Sequence, residues 1–169
     1  MKISLLGYMG SGKSSLAKLL AAHLDLPLLD LDHLIEEECG QSVSELIFNR
    51  GELFFRQKER EILLDILQKP EFVLALGGGT PCYYDNMDQV NRSSISIYLE
   101  RSIQDLYDVL AKDRRERPLI AHLADQDLKE FIAKHLFERR DFYEKAIFKI
   151  SQKQKDEEER LHSILNYLK

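Results

Sequence analysis

Residues 7–14 form the segment that most restricts what this chain can fold into. They read Gly-Tyr-Met-Gly-Ser-Gly-Lys-Ser and match the pattern G-x-x-x-x-G-K-[ST]. A short apolar run, Ile3 to Leu6, precedes them, and leucines at helical spacing follow between Ser14 and Leu24. A strand, a glycine-rich loop and a helix in this order gather main-chain N–H groups and a helix N-terminus around an anion. The sequence therefore predicts a loop that binds the phosphates of a nucleoside triphosphate.

Four residues of this phosphate loop carry the predicted chemistry. Gly10 and Gly12 let the backbone curl so that successive N–H groups point inward at phosphate oxygens. Lys13 can reach the β- and γ-phosphates, and the hydroxyl of Ser14 can ligate Mg²⁺. The alternative is a chance glycine-rich turn, and the strand and helix on either side argue against it.

Apolar runs and helical periods alternate along the 169 residues, which predicts one α/β domain over 1–169. Such alternation favours a three-layer arrangement, with a five-stranded, mostly parallel sheet covered by helices on both faces. The expected strands are Ile3 to Leu6, Pro27 to Leu31, Phe72 to Leu76, Ile95 to Leu99 and Ile147 to Ile150. The expected helices cover about 14–24, 33–38, 42–49, 54–68, 102–112, 127–143 and the C-terminus, with Asp156 to Arg160 as the solvated start of the last one.

The composition argues against several classes of protein. Lys and Arg total 24 and Asp and Glu total 29, so the net charge is −5, which is unlike a general nucleic-acid or membrane-surface binder. No run approaches the roughly 20 apolar residues of a membrane helix, and the N-terminus leads straight into the phosphate loop, unlike a signal peptide. Cys39 and Cys82 form no CxxC pair or disulfide framework, which is typical of a reducing cytosol, and no further role is assigned to them.

The segment Leu29-Asp30-Leu31-Asp32 sets two carboxylates two residues apart. On a strand both would project to the same side. Ligands of parallel sheets gather beyond the carboxyl ends of the strands, so we expect the pair beside the phosphate loop. One acid would then support a metal ion through water, and the other would hold a substrate hydroxyl and receive its proton. The alternative is a turn at the strand end, with Asp32 capping a helix.

Two further segments suggest the binding of a second ligand. Arg56 follows two phenylalanines and shares a helical face with Glu59. The pair is either an exposed ion pair or an arginine that clamps a carboxylate and is steadied by Glu59. Gly77-Gly78-Gly79 directly follows an expected strand, and three glycines cost conformational entropy. Close approach of the backbone to a ligand therefore explains the triplet better than an ordinary turn.

The C-terminal half offers further cationic candidates. Residues 114–118 are a basic cluster, Arg-Arg-Glu-Arg-Pro, within a net-acidic chain. They form either a solvated loop or a mobile lid that brings Arg117 onto the transferring phosphoryl group. Arg139, one helical turn before Tyr143, is either another anion contact or part of an ordinary helix face.

Taken in order, these segments resemble the shikimate kinase family, small relatives of the nucleoside-monophosphate-kinase-like P-loop proteins. The resemblance covers nearly the whole chain. It rests on GYMGSGKS at 7–14, LDLDHLIE at 29–36, GELFFRQKE at 51–59, ALGGGT at 75–80, ERPLI at 116–120 and ERRDFY at 138–143. It implies a P-loop kinase fold with a mobile lid at about 112–124. It also implies ATP-dependent phosphorylation of the 3-hydroxyl of shikimate, giving shikimate 3-phosphate and ADP in aromatic amino-acid biosynthesis.

For the phosphate donor, the resemblance implies a role for each matching residue. ATP would be bound by Gly10, Ser11, Gly12, Lys13, Ser14 and Ser15. Ser14 would contact Mg²⁺, and Asp30 would lie in the outer shell of the ion. Arg117, on the lid, would contact both the nucleotide and the acceptor, and it joins Lys13 and Asp32 as a catalytic candidate.

For the acceptor, the resemblance implies that Asp32 holds hydroxyls of shikimate and is the candidate base. Arg56 and Arg139 would bind the carboxylate, and Gly78 would donate backbone hydrogen bonds. ATP and shikimate are thus the expected partners of a cytoplasmic, monomeric enzyme that binds no nucleic acid or membrane. Two arginines for a carboxylate favour this acceptor over gluconate or a nucleoside monophosphate. A nucleotide-binding regulator without kinase activity is the alternative from another class.

The chain departs from the family pattern at the residues that would contact the adenine of ATP. The family often has an adenine-stacking arginine seven residues before the lid arginine, and Leu110 occupies that position here. Lys112 or Arg114 could substitute if the lid is one residue longer. The second adenine contact would fall within 152–156, where no residue matches. We therefore assign no adenine contact from the sequence.

Overall fold

The structure is a computed structural model that describes residues 1–114, 119–154 and 156–169. Within these ranges five strands form one parallel sheet in the order β2-β3-β1-β4-β5. The strands are β1 Lys2–Leu6, β2 Leu28–Asp30, β3 Phe72–Ala75, β4 Ile95–Leu99 and β5 Phe148–Ile150. The helices are α1 Lys13–Leu24, α2 Leu31–Cys39, α3 Val43–Arg50, α4 Glu52–Gln68, α5 Asn86–Ser93, α6 Ile103–Lys112, α7 Asp125–Tyr143 and α8 Glu157–Tyr167, with a 3₁₀ turn at Thr80–Cys82.

Alternate residues of the strands enter two separate cores. Ile3 and Leu5 of β1 pack with Leu16 of α1 and Ile164 of α8. Leu6 instead belongs to the larger core, which lies between the opposite face of the sheet and helices α2 to α7. Since side chains alternate between the faces of a strand, both faces of the sheet are covered. The predicted three-layer α/β fold with a five-stranded parallel sheet is confirmed.

The second strand is shorter than predicted. It ends at Asp30, whose side chain accepts a hydrogen bond of 3.3 Å from the backbone N–H of His33 and caps helix α2. A capping aspartate turns the chain from strand to helix, so Leu31 is helical and Asp32 lies in the first turn of α2. The prediction that Asp30 and Asp32 both project from a strand is therefore wrong, and so is the alternative with Asp32 as the cap.

Several other boundaries differ from the predictions. Most predicted helices begin or end one or two residues from the observed ones. For example, the helix predicted at 33–38 covers Leu31–Cys39. Helix α5, which is short and polar, and the 3₁₀ turn, which has only three residues, are not predicted from the sequence. Arg160 is 3% exposed, so the charge run at the start of α8 is not solvated throughout.

The expected lid, at about 112–124, includes residues 115–118, which lie outside the described residues, Arg117 among them. Before this gap, Arg114 pairs with Asp125 of α7 through an Nη1–Oδ1 contact of 2.6 Å. After it, Ile120 is fully buried in the larger core. No helix in the described ranges is both long enough and apolar enough to cross a membrane.

Candidate active site

The phosphate loop joins β1 to α1 as the sequence predicts. Gly12 directly precedes the helix with φ +91°, a left-handed conformation that glycine adopts readily. The ammonium of Lys13 donates to two loop carbonyls, with Nζ 2.9 Å from the oxygen of Gly7 and 3.0 Å from that of Tyr8. The Lys13 ammonium is therefore held against the backbone of the loop. A helix N-terminus and an ammonium together provide a site for phosphate oxygens.

Two oxygen ligands meet at the first turn of α1. The hydroxyl of Ser14 donates to Oδ2 of Asp30 at 3.0 Å, across the gap between α1 and the end of β2. Hydroxyl and carboxylate oxygens are the donors that Mg²⁺ prefers, together with water and phosphate. The donor set at this corner therefore fits the ion that the resemblance implies.

Asp32, two residues after Asp30 in the first turn of α2, is exposed to solvent on the side that lines the cavity. Desolvation by the protein packed near its carboxylate, together with the negative charges of Glu59 and Asp30, raises the pKa of Asp32 from 3.8 to about 6. Lys13 partly opposes them. The pKa of Asp32 therefore lies close to neutral pH, as is required of a group that accepts a proton during the reaction.

Arg56 and Glu59 form a buried ion pair on α4. Nη1 of Arg56 lies 2.9 Å from Oε2 of Glu59, and the two residues are 8% and 0% exposed. The other oxygen of Glu59 accepts a hydrogen bond of 2.7 Å from the hydroxyl of Thr80. The guanidinium carbon of Arg56 also lies 4.0 Å from the ring centroid of Tyr83. Such burial contradicts the exposed ion pair that the sequence left open, and it holds the guanidinium in one orientation.

The glycine turn, residues 77–79, is packed against acceptor-side side chains. A Cβ atom at Gly77 would lie 2.8 Å from Oδ1 of Asp32, and one at Gly79 would lie 2.5 Å from Nη2 of Arg56. At Gly78 the corresponding distance to Nη1 of Arg139 is 3.5 Å. The turn is therefore packed closely against the side chains predicted to bind the acceptor, and its approach to a ligand stays a prediction.

Arg139 reaches the same turn from helix α7 and is half-buried. One helical turn later, the hydroxyl of Tyr143 donates a hydrogen bond of 2.6 Å to the carbonyl of Gly78. Arg56 and Arg139 come from helices far apart in the sequence, yet they lie against consecutive glycines. The glycine turn therefore lies against two guanidiniums.

The donor and acceptor sides face a common cavity of about 340 Å³. Its lining includes Lys13, Ser14 and Ser15 from the phosphate loop and α1, together with Asp30, Asp32 and Gly78. Of the residues predicted for the acceptor, the structure thus places Asp32 and Gly78 on this cavity, while Arg56 and Arg139 lie behind it, against the glycine turn. Arg117 is the predicted catalytic residue that lies outside the described residues.

A family model for shikimate kinase matches residues 9–169 of the chain. The chain belongs to the shikimate kinase family. Its activity is that of the family, the ATP-dependent phosphorylation of shikimate in aromatic amino-acid biosynthesis. The prediction made from the sequence motifs is confirmed at this level.

Relatives agree with this assignment over the whole chain. The shikimate kinase of Flavobacterium johnsoniae is 43% identical over 169 residues, covering 99% of this chain and 98% of the relative. The crystal structure of the Bacteroides thetaiotaomicron shikimate kinase is 34% identical, with a TM-score of 0.94 and coverage of 99% and 98%. The Acinetobacter baumannii shikimate kinase, solved in complex with shikimate, is 27% identical with a TM-score of 0.89, covering 99% of this chain and 92% of that one.

The surroundings of the phosphate loop include residues that the sequence motifs do not mark. Leu110, at the position of the adenine-stacking arginine, is fully buried and packs where a side chain on Gly10 would lie. Nε of Arg101 lies 3.4 Å from the carbonyl oxygen of Ser11. Arg160 is buried on α8, and burial lowers the pKa of both arginines. Nη1 of Arg160 lies 3.8 Å from where a Cβ atom on Gly12 would be. No motif marks either arginine, because each approaches the loop from a distant part of the chain.

Proposed function

We propose that the enzyme transfers the γ-phosphoryl group of ATP to the 3-hydroxyl of shikimate, and that residues 1–169 form the single domain that does so. The observation that carries this assignment is the shared cavity, where Lys13 and Ser14 face Asp32 and Gly78. Phosphoryl transfer depends mainly on positioning and on neutralising charge. A loop with the Lys13 ammonium and main-chain N–H groups, facing the Asp32 carboxylate with two arginines behind the glycine turn, supplies both.

On the donor side, residues 10–15 would bind the phosphates of ATP. Their main-chain N–H groups and the N-terminus of α1 would receive the phosphate oxygens. Lys13 would exchange its contacts with the carbonyls of Gly7 and Tyr8 for the β- and γ-phosphates. These loop contacts hold the ammonium near its working position before the nucleotide arrives.

Mg²⁺ would be held at the corner between α1 and β2. Ser14 would ligate the ion directly, and Asp30 would hold it through water, which fits their hydrogen bond of 3.0 Å. A bound Mg²⁺ would neutralise charge on the β- and γ-phosphates. Asp30 also caps α2, so the residue beside the ion fixes the helix that carries Asp32.

Asp32 would orient the acceptor hydroxyl and receive its proton. A pKa of about 6 leaves the carboxylate mostly ionised at neutral pH while keeping its affinity for a proton above that of an ordinary aspartate. The side chain lies between the glycine turn and the cavity, with Oδ1 2.8 Å from where a Cβ atom on Gly77 would be.

The carboxylate of shikimate would bind to Arg56 and Arg139. Arg56 is held by Glu59, while Arg139 approaches the neighbouring residue of the glycine turn. Gly78 would add backbone hydrogen bonds to the substrate. Charge-assisted contacts of this kind orient a ring as well as bind it. They also explain how a chain with a net charge of −5 attracts an anionic acceptor, since the local field is positive.

Arg117 would complete the site from the lid. A guanidinium supplied by a closing segment neutralises charge that develops on the transferred group, and closure excludes water that would otherwise hydrolyse ATP.

We further propose a cytoplasmic monomer that binds no nucleic acid or membrane. Its negative net charge and its free cysteines, Cys39 and Cys82, support this assignment.

A phosphorylation panel tests the proposed acceptor. The purified enzyme is given ATP and Mg²⁺ with shikimate, gluconate or a nucleoside monophosphate, and the product from shikimate is located by NMR. We expect turnover on shikimate alone, with phosphate on the 3-oxygen. Turnover on gluconate or a nucleotide, or phosphorylation of another hydroxyl, would overturn the assignment.

A further inference from the structure

Helix α7 is hydrogen-bonded to both sides of the cavity. His135, Arg139 and Tyr143 follow one another at intervals of four residues, so their side chains lie along one face of the helix. His135 contacts the phosphate loop, and Tyr143 contacts the glycine turn. Arg139 lies between these two attachments. The helix therefore connects the donor and acceptor sides through side chains that the reaction itself does not use.

The attachment at the phosphate loop is a pair of aromatic side chains. The hydroxyl of Tyr8 and Nδ1 of His135 are 2.9 Å apart, and their rings meet edge to face at 5.5 Å. Tyr8 is 1% exposed, and the ring of Phe131 packs on His135 at 5.1 Å. A buried hydrogen bond between two packed rings fixes distance and angle more tightly than an exposed one.

Tyr8 also touches the residue that would hold the donor. Its carbonyl oxygen accepts hydrogen bonds from Nζ of Lys13 at 3.0 Å and from the backbone N–H of Ser11 at 3.2 Å. The same residue thus faces His135 with its side chain and Lys13 with its backbone. A change in the position of α7 would be transmitted directly to the phosphate loop.

The other attachment is closer to the acceptor. The hydrogen bond from Tyr143 to Gly78 is short, at 2.6 Å, and Tyr143 is fully buried. A Cβ atom at Gly78 would lie 3.4 Å from the backbone nitrogen of Met9 and 3.5 Å from Nη1 of Arg139. The glycine turn, the phosphate loop and α7 therefore pack against one another at this point.

His135 takes part in this arrangement as a neutral side chain. Burial and, to a smaller extent, the positive charge of Arg139 lower the pKa of His135 to about 4, while Glu138 opposes the shift. Burial also raises the pKa of the Tyr8 phenol above its usual range. Both groups are uncharged near neutral pH, so their hydrogen bond adds no charge that would compete with Arg139 for an anion.

We propose that His135 is a positioning residue, which through Tyr8 sets the register between Arg139 on α7 and Lys13 on the phosphate loop. The proposal rests on the acceptor and donor roles proposed above for these two residues. Each substrate keeps its own contacts if the Tyr8–His135 bond is lost, but the two substrates are no longer held at the reacting distance. Misplacement of this kind lowers the rate of transfer more than it lowers the affinity for either substrate.

The test compares Tyr8→Phe, His135→Leu and the double variant. Turnover numbers are measured at saturating substrates, and the Kd values of shikimate and of a non-hydrolysable ATP analogue are measured separately by calorimetry. We expect kcat to fall about tenfold in each single variant and no further in the double variant, because both changes remove one hydrogen bond. Each Kd should change by less than about twofold.

A matched control and a conservative variant separate positioning from a loss of folding. Tyr98→Phe removes the hydroxyl of another buried tyrosine, on β4, and should keep kcat. His135→Gln keeps a hydrogen-bonding side chain and should recover kcat to within about threefold of the unsubstituted enzyme. Thermal unfolding of every variant shows whether it is folded, and Tyr8→Phe, which removes one oxygen atom, decides the matter if His135→Leu does not fold.

Three results would overturn the proposal: an unchanged kcat in Tyr8→Phe, a loss of activity explained entirely by weaker Kd values, or single effects that multiply in the double variant. Arg139→Ala is measured in the same series. An unchanged Kd for shikimate in that variant would refute the proposed carboxylate contact, which is distinguishable from failure of the His135 proposal.

Discussion

Glu59 holds Arg56 from one helical turn away, through a hydrogen bond of 2.9 Å between Oε2 and Nη1. Its second carboxylate oxygen is bound by Thr80. Neighbouring carboxylates outweigh the effect of burial on the pKa of Arg56, which is raised, so the guanidinium stays charged. The Arg56 guanidinium is therefore available to an anion in a fixed orientation, while Glu59 remains hydrogen-bonded to it.

Replacing Arg56 by alanine should affect both binding and folding. The KM for shikimate should rise roughly tenfold to a hundredfold, since a charge-assisted contact contributes about 1.5–3 kcal/mol. The free energy of unfolding should fall by about 3–5 kcal/mol, because Glu59 is left buried without its partner. Steady-state kinetics and urea unfolding measure the two effects. A lower kcat with an unchanged KM would show that Arg56 does not bind the carboxylate.

Arg139 provides the matched comparison, because it is only half-buried. Arg139→Ala should raise the KM for shikimate by a similar factor, with a smaller loss of unfolding free energy. The affinity for an ATP analogue should be retained in both variants. Equal destabilisation by the two substitutions would contradict the special role of the Arg56–Glu59 pair.

Asp32→Asn should abolish most turnover while leaving nucleotide binding intact. The amide keeps the shape of the side chain but can neither accept the proton nor attract the hydroxyl hydrogen as a carboxylate does, and we expect kcat to fall by about 10²–10⁴. Glu37→Gln, on the same helix and paired with His33 at the surface, is the control. A near-normal kcat in Asp32→Asn would remove Asp32 from the proton-accepting role.

The pKa of Asp32 can be measured in the ligand-free enzyme. Carboxyl-carbon NMR, with the signal assigned through Asp32→Asn, should show a midpoint near pH 6. Between the ordinary value of 3.8 and about 6, the folded protein binds more protons at this site than the unfolded chain does. Its stability relative to Asp32→Asn should therefore decline as pH rises through this window. A midpoint near 3.8 would show that burial and the neighbouring carboxylates do not raise the pKa of Asp32.

Gly79→Ala tests the close packing of the glycine turn. The new Cβ would lie 2.5 Å from Nη2 of Arg56, so the guanidinium must move and the KM for shikimate should rise by about tenfold or more. Gly40→Ala is the control: its Cβ would meet nothing within 4 Å, although its φ of +66° is left-handed. That variant should lose about 1 kcal/mol of stability and keep its KM. Equal KM values in the two variants would show that the contact with Arg56 is unimportant.

Much of the fold could be predicted because local patterns agree with the tertiary structure. The phosphate loop and the strand at Ile95–Leu99 lie where apolar runs and glycine spacing place them. The boundary at Asp30 could not be read in the same way, because an aspartate suits both a strand end and a helix cap. Only the hydrogen bond to His33 distinguishes the two.

The features of the site that could not be predicted are contacts between residues far apart in the sequence. Glu59 and Arg56 are visible as a pair from their spacing, but their burial depends on Thr80 and the glycine turn. Tyr8 and His135 are 127 residues apart, and neither position suggests the other. Local periodicity identifies a helix face but does not say which loop will pack against it.

The most direct test of the account is a crystal structure of the enzyme with shikimate, Mg²⁺ and a non-hydrolysable ATP analogue. We expect the carboxylate of shikimate between Arg56 and Arg139, and its 3-hydroxyl within hydrogen-bonding distance of Asp32 and directed at the γ-phosphate over Lys13. A shikimate ring with its carboxylate away from both arginines, or with another hydroxyl facing the nucleotide, would contradict it.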